Sequence, residues 1–298
     1  MTRSILLTGS TGFIGQNLTI LLLSLNYKVV ALVRKSSKNK LFIKNTKKNN
    51  NNFHPIYFKN IKSLPKRLSR LKVDYVVNLA TNWVERHNYK DLIEIINSNI
   101  LFTTAVLDLV PKKNLKKFIN VSTYGLFKTS KNYNPINLYA AAKKSFEDII
   151  VYYQNLHKKM YFYNLYLYDS YGINDKRNKI ISKISRNYKT NKKTTILSSR
   201  VELNLLNVKE ICDAFILAIE KKIKSGNYLI KAKNFTNILK LIKRTNLKLN
   251  RKIKYNLLNK PIRKKIDFKM NLLPYWKPRS IIEKDIFNLI NENNKNKI

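Results

Sequence analysis

Short apolar runs alternate along the first half of the chain with longer stretches in which apolar residues recur every three or four positions. The runs Ile5–Leu7, Val29–Val33, Ile56–Phe58, Tyr75–Leu79, Phe118–Val121 and Tyr163–Tyr168 are brief and β-rich, as strands of a parallel sheet are. Between them, Gln16–Ser24, Asp91–Leu109 and Tyr139–Leu156 carry helical periodicity over lengths that suit crossover helices. Lys35–Asn52 is polar, low in complexity and ends in Asn49–Asn52, which predicts a solvent loop. After about Gly172 the rhythm changes to polar loops, isolated helices and proline-punctuated stretches near Pro261 and Pro274–Pro278. The pattern predicts an α/β fold: a doubly wound parallel sheet over residues 1–172, then a smaller C-terminal cap over 173–298, with segments near 200–220 returning to the core. No internal repeat is visible.

Composition narrows the chemistry. A chain of 298 residues with 44% hydrophobic content can bury a substantial core. The single cysteine, Cys212, excludes an intrachain disulfide framework and any cysteine-based zinc cluster and suits a reducing cytosol. His54, His87 and His157 are scattered without metal-ligand spacing, so no metal is expected. The first apolar run meets glycines before a signal-peptide core could form. The neighbourhood Leu18–Val33 is broken by Asn26, Tyr27 and Lys28, too short on either side to span a bilayer. A cytoplasmic location without membrane association is expected.

The formal charge of +42 invites a nucleic-acid reading. Of the 59 basic residues, however, 12 are Arg and 47 are Lys, spread beside many Asn, Ile, Tyr and Phe. Lysine and these four types all have A/T-rich codons, so the charge is attributed to nucleotide composition, with runs such as Lys47–Lys48 solvated and no specific nucleic-acid partner.

Only six glycines occur, yet Gly9, Gly12 and Gly15 fall within seven positions, between an apolar strand and an amphipathic helix. That context gives each a role. Gly9 permits a tight turn, Gly12 allows close approach of backbone to a pyrophosphate, and Gly15 lets helix pack on strand, with helix N–H groups facing the phosphates. Thr11, Phe13 and Ile14 share this cofactor-binding turn. The motif makes the sheet a Rossmann-type one. At the end of the second strand, where NAD enzymes place an acid against the ribose, stand Arg34 and Lys35. A guanidinium beside an ammonium suits a 2′-phosphate, so NADP (NADPH) is expected as cofactor and NAD is less favoured.

Downstream, Tyr139 and Lys143 are four apart on a predicted helix and share a face. A nearby ammonium can lower a tyrosine pKa and can also hold the nicotinamide ribose. Thr123, at the carboxyl end of a parallel strand, can hydrogen-bond a reacting carbonyl.

The glycine fingerprint at Thr8–Gly15, Asn78-Leu79-Ala80, Asn99, Thr123 and Tyr139-x-x-x-Lys143, in this order, resemble the extended short-chain dehydrogenase/reductase (NAD-dependent epimerase/dehydratase) family of nucleotide-sugar enzymes. The segment Trp276-Lys277-Pro278 resembles the tryptophan-x-proline stretch closing that family's substrate domain. The resemblance implies that the cap is a substrate-binding one, that Asn99 is the active-site asparagine organising water, and that Asn60, Leu79, Ala80 and Thr81 contact the cofactor. It also implies departures: Asn78 stands where a histidine is usual, Asn60 where an acid meets adenine, and Glu210 where an aspartate is usual. Within the family, Tyr133–Asp148 and Leu167–Lys179 look closest to nucleotide-sugar 4-ketoreductases of the CDP-abequose synthase type, with Asp169, Arg177 and Glu210 as candidate substrate-wall residues beside Thr123.

Three chemistries share this scaffold. A 4,6-dehydratase of the family carries Asp-Glu directly after the threonine, and here Tyr124-Gly125 follows Thr123. An epimerase holds NAD with an acid at the second strand end, which is missing. Net reduction of a nucleotide-sugar C4 ketone remains, with Tyr139 donating the proton. An NAD-dependent 4-epimerase is the alternative enzyme; a catalytically inactive basic RNA-binding or scaffold protein is the alternative of another class. A homodimer is a possible assembly.

Overall fold

The computed structural model describes residues 2–129, 132–261 and 265–291; residues 262–264 and 292–298 of the stretch assigned to the cap lie outside the described residues. Two compact units emerge. The first comprises the residues up to Leu167 together with Cys212–Ile230 and Phe268–Trp276, and the second comprises Tyr168–Ile211, Lys231–Asp267 and the residues from Lys277 on.

The first unit is built on a seven-stranded parallel sheet. Its strands β1 (Ser4–Thr8), β2 (Lys28–Arg34), β3 (Phe53–Phe58), β4 (Tyr75–Asn78), β5 (Lys117–Thr123) and β6 (Tyr161–Leu167) are joined by Gly226–Ile230 in the spatial order Gly226–Ile230, β6, β5, β4, β1, β2, β3. The order reverses between β1 and β4, the switch point outside which ligands bind in such sheets. The strands read as near-continuous apolar runs because helices cover both faces; Leu6, Val30, Val76, Phe118 and Phe162 pack with Phe102, Val106, Phe146 and Ile150 of the crossover helices.

Two elements differ from the expectation. Within Lys35–Asn52, where the composition predicts a loop, lies helix α2 (Lys40–Asn49), following α1 (Phe13–Ser24). Its reason is a single anchor: Ile43 is buried with Phe42 and Thr46 half-buried beside it, and lysine is a good helix former on the solvent side. Gly226–Ile230 completes the sheet against β6 and is a strand that the pattern does not predict; its apolar stretch is only three residues long.

Tyr89–Leu109 forms one continuous helix of 21 residues between β4 and β5, opened by a reciprocal Asn88–Asp91 cap. Its length, and a mean hydropathy of 1.4 over its most apolar 18 residues, would suffice to cross a bilayer. Here it is a crossover helix whose Ile95, Asn99, Phe102 and Val106 are buried.

The second unit has small paired strands, Asp169–Tyr171 with Leu205–Asn207, Glu202–Leu203 with Thr236–Asn237 and Thr194–Ile196 with Tyr255–Leu257. Its core gathers Tyr171, Ile184, Ile196, Leu241, Ile253 and Ile290.

Candidate active site

The site of the first unit is assembled on the carboxyl ends of β1, β2, β4 and β5. Gly9 adopts φ +68°, and a Cβ there would lie 2.6 Å from the Leu79 carbonyl carbon. A Cβ on Gly15 would stand 2.1 Å from Gly9 O, and one on Gly12 3.2 Å from the same oxygen. The glycines therefore let the turn, the start of α1 and the Leu79–Ala80 backbone nest against one another. Gly12 caps α1 in extended conformation with no side-chain cap and no acid in the first turn, which leaves the positive helix end to an anion. Ser10 Oγ, in the same turn, is buried without a hydrogen-bond partner among the described residues. Thr11 uses its carbonyl to hold Gln16 and Asn39, and Phe13 and Ile14 open the helix half-buried.

Leu79 and Ala80 are held from beneath by side chains. The Ala80 N–H donates to Thr8 Oγ1 (3.0 Å), which donates to Asn78 Oδ1 (2.7 Å). From Asn78 the amides continue in one direction across the sheet, to Asn120 (3.0 Å), Asn164 (2.9 Å) and Asn227 (2.9 Å), each on its register partner. A buried asparagine that passes a donor to the next strand is satisfied on both sides, and aligned amides polarise one another. Asn78 thus has a sheet-internal role where the resemblance expects a histidine.

At the end of β2 a cavity of about 360 Å³ is lined by Arg34, Lys35, Ser37, Lys40, Lys44 and Tyr57, with Val33, Leu41 and Ile43 behind them. No carboxylate is among these residues. Lys40 and Lys44 come from α2, so an element that the sequence pattern conceals brings two further cations there. Asn60 lies just beyond β3, exposed, its carbonyl engaged by Ser63, and does not line this cavity.

The catalytic candidates come from three elements. Thr123 ends β5, its Oγ1 accepting from the Gly125 N–H at 3.1 Å. Tyr139 and Lys143 sit on the helix Leu138–Leu156, capped by the Asn137 side chain on the Ala140 N–H. Asn99 lies on a π turn, Asn97–Leu101, inside the crossover helix, a distortion common at functional positions. Its Oδ1 accepts from Thr81 Oγ1 at 2.7 Å, and its Nδ2 donates to the carbonyls of Asn82 and Ile95. Tyr139 and Thr81 hydrogen-bond through their side chains.

Burial governs the charges here. It pushes the Tyr139 phenol up to about 12 and the Lys143 ammonium down to about 8, so each leans to its neutral form. The expected lowering of the tyrosine by its lysine does not emerge: desolvation raises the phenol, and the hydrogen bond with Thr81 is what lowers it. Opposing the effect on Lys143 is Glu147, one turn further on the same helix and itself buried. Ser122 Oγ donates to Glu147 Oε1 and Tyr166 Oη to Oε2 (2.5 Å for the latter). Glu147 is not among the residues expected from the sequence, although the spacing Tyr139-x-x-x-Lys143-x-x-x-Glu147 carries it on one helix face.

In the second unit, Asp169 pairs with Lys179 at 2.9 Å, and Arg177 is braced by Asp175 and by Ser170. Glu210 accepts from the backbone N–H groups of Arg279 and Ser280. A cavity of about 560 Å³ includes Glu210, Tyr171, Phe235, Lys240, Arg244 and Arg279 in its lining, but neither Asp169 nor Arg177.

Comparison with known proteins adds three findings. Residues 5–230 match the family model described as the NAD dependent epimerase/dehydratase family. CDP-abequose synthase of Salmonella muenchen is 26% identical over 229 residues, covering 76% of this chain and 74% of that protein, and that of Yersinia pseudotuberculosis is 27% identical over 226 residues, covering 75% of each. Among solved structures, UDP-glucuronic acid 4-epimerase from Bacillus cereus, in complex with UDP-glucuronic acid and NAD, is similar with TM-score 0.82 at 21% identity, covering 98% of this chain and 100% of that one.

Proposed function

The chain belongs to the NAD-dependent epimerase/dehydratase family of NAD(P)-dependent oxidoreductase-type enzymes, and from that premise we propose that it uses NADPH to reduce the C4 ketone of a nucleotide-activated 4-keto-6-deoxyhexose, in deoxysugar or surface-polysaccharide biosynthesis. The observation that carries the reading is the cavity at the end of β2, where Arg34, Lys35, Lys40 and Lys44 gather without a carboxylate. Such a lining favours a 2′-phosphate over a bare ribose. Curated relatives named CDP-abequose synthase support the substrate class.

The residues fit a dinucleotide: the uncapped end of α1 and the glycine turn would hold the pyrophosphate, Leu79, Ala80 and Thr81 would flank it, and Lys143 would hold the nicotinamide ribose. The nicotinamide, when bound, supplies the hydride. Tyr139, held above the usual range and therefore protonated at neutral pH, donates its proton to the C4 oxygen. Thr123 accepts from the Gly125 N–H and keeps its own proton to give to that oxygen. Lys143, kept cationic in part by Glu147, stabilises the phenolate left behind. Tyr124 and Gly125 stand where dehydration would need an acid and a base. In the second unit, Glu210, Arg279 and Phe235 line a cavity suited to part of the nucleotide sugar, with Asp169 and Arg177 as further candidates.

A second reading, an NAD-dependent 4-epimerase, is favoured by the NAD bound to the similar solved structure. Incubating the purified protein with NADPH or NADH and a panel of nucleotide 4-keto-6-deoxyhexoses, followed by mass spectrometry, separates the two. A product two mass units heavier, formed with NADPH, is expected. In a parallel incubation with NAD and nucleotide sugars that carry a C4 hydroxyl, inversion at C4 resolved by chromatography, without net consumption of cofactor, would establish the epimerase instead. We further place the protein in the cytoplasm as a homodimer, a state that the exposed Tyr89, Ile93, Leu101, Val151, Tyr152 and Leu156 support.

A further inference from the structure

Thr81 stands between two groups of the proposed catalytic set. Its Oγ1 donates to Asn99 Oδ1 at 2.7 Å, and its side chain hydrogen-bonds with that of Tyr139. Asn99 cannot take over that contact by turning its amide, because both Nδ2 hydrogens are committed to the carbonyls of Asn82 and Ile95, 3.0 Å away, and the residue is fully buried on the π turn. The carboxamide is therefore a fixed acceptor. A hydroxyl has one proton and two lone pairs, so Thr81 can give its proton to Asn99 or to the Tyr139 oxygen, and not to both. Thr81 itself is exposed, which leaves its hydroxyl room to rotate.

We propose that Thr81 is a positioning residue for Tyr139: its hydroxyl, parked on the fixed Asn99 carboxamide, orients the phenol and turns to donate a hydrogen bond to the tyrosine oxygen as that oxygen loses its proton. The inference rests on Tyr139 being the proton donor. In the step, the Tyr139 O–H bond breaks and its proton goes to the C4 oxygen; the Thr81 proton stays on Thr81 and changes its acceptor from Asn99 Oδ1 to Tyr139 Oη. A proton from solvent restores the phenol after product leaves. This role differs from a contact to the dinucleotide, which the same position could also make, and the two predict different responses.

The test uses the full chain labelled with tyrosine carrying ¹³C at Cζ, saturated with whichever dinucleotide binds, with the Tyr139 signal identified by its loss in Tyr139→Phe. Thr81→Val removes the hydroxyl and keeps the shape, and Thr81→Ser restores the hydroxyl. Loss of a hydrogen bond to the phenolate is expected to raise the Tyr139 titration midpoint by about half to one pH unit in Thr81→Val. Thr81→Ser should titrate like the parent, and dinucleotide affinity should change less than about twofold. Turnover of Thr81→Val should fall about threefold to tenfold, and its fall with rising pH should begin at higher pH. Should Thr81→Val fail to fold, Thr81→Ala makes the same comparison. An unmoved midpoint in the hydroxyl-free variant, whether or not dinucleotide affinity falls, overturns the proposal. If the parent protein turns over none of the 4-keto sugars, the proposed reaction fails, yet the titration still decides the role of Thr81.

Discussion

At the glycine turn a Cβ on Gly15 would come within 2.1 Å of a backbone oxygen, whereas Tyr139 is 8% exposed and its burial lifts the phenol to about 12. One end of the candidate site is held by steric exclusion, the other by desolvated charge and hydrogen bonds. The difference is one of reach. Steric exclusion acts between neighbours in sequence and along two strand ends, while the state of Tyr139 depends on burial and on Thr81, distant in sequence and held in turn by Asn99 of the crossover helix. The glycine end is therefore insensitive to its surroundings and resists folding around a larger side chain, whereas the tyrosine end folds around a substitution but owes its chemistry to its surroundings.

The largest effect is expected at the chemical end. Tyr139→Phe keeps the ring and its packing and removes the acid, so turnover should drop about 100-fold or more, while dinucleotide affinity, measured by fluorescence titration, stays near that of the parent. Because reduction uses the protonated phenol, the parent's rate should hold through neutral pH and fall as pH rises through the pKa of Tyr139. A Tyr139→Phe variant with near-normal turnover of a confirmed 4-keto sugar would remove the assigned acid and the contrast with it.

At the steric end, Gly15→Ala must displace backbone, and Gly12→Ala need only open a 3.2 Å contact by a few tenths of an ångström. Gly15→Ala should cost about 3 kcal/mol of stability in urea unfolding and abolish dinucleotide binding. Gly12→Ala should fold normally. Equal stabilities would show that the turn is softer than its geometry.

The same contrast decides what could be read in the sequence. The glycines were legible because their constraint is local and because this chain places asparagine at other positions where glycine is usual: Asn26, Asn174, Asn191 and Asn259 occupy positive φ, and Gly9 alone among the glycines does so. An asparagine cannot serve at position 9, since its Cβ would meet the Leu79 backbone. Strands β1 to β6 were legible because a sheet covered on both faces needs unbroken apolar runs. Helix α2 was not, because its burial rests on Ile43 and its flanks are lysine and asparagine. The asparagine ladder was not, because Asn78, Asn120, Asn164 and Asn227 become neighbours only through register. The placement of Tyr139 and Lys143 on one helix and of Thr123 at a strand end was legible, but the direction of the Tyr139 and Lys143 pKa shifts was not, since desolvation depends on the packed surroundings.

On the other side of the glycine turn from β5, at the end of β2, lies the cation cavity of β2 and α2. Arg34→Ala should raise the Michaelis constant for NADPH about tenfold, the worth of one charge-assisted contact shared with neighbouring lysines, and leave that for NADH nearly unchanged. Equal losses with both cofactors would make Arg34 a structural residue of the strand end. Lys40→Ala and Lys44→Ala should weaken NADPH less, each removing a single more distant charge.

The smallest effect, and the sharpest probe of the electrostatic end, belongs to Glu147. Its charge is the one cause that raises the Lys143 ammonium against burial, and Ser122 and Tyr166 hold the carboxylate in place. Glu147→Gln keeps the size, and its amide can accept from one hydroxyl through the oxygen and donate to the other through the NH2, so the fold should survive. Without the carboxylate, Lys143 should fall further below about 8. Near pH 7.5 a smaller fraction of it is then cationic, and turnover should drop severalfold through poorer stabilisation of the phenolate. The sign of the pH response follows: lowering the pH restores the ammonium, so the deficit should shrink between pH 7.5 and pH 6, whereas a packing defect would persist across that range. Rates of parent and variant compared at saturating dinucleotide over this interval decide it, and a pH-independent deficit would mean that Glu147 supports the helix rather than the charge of Lys143.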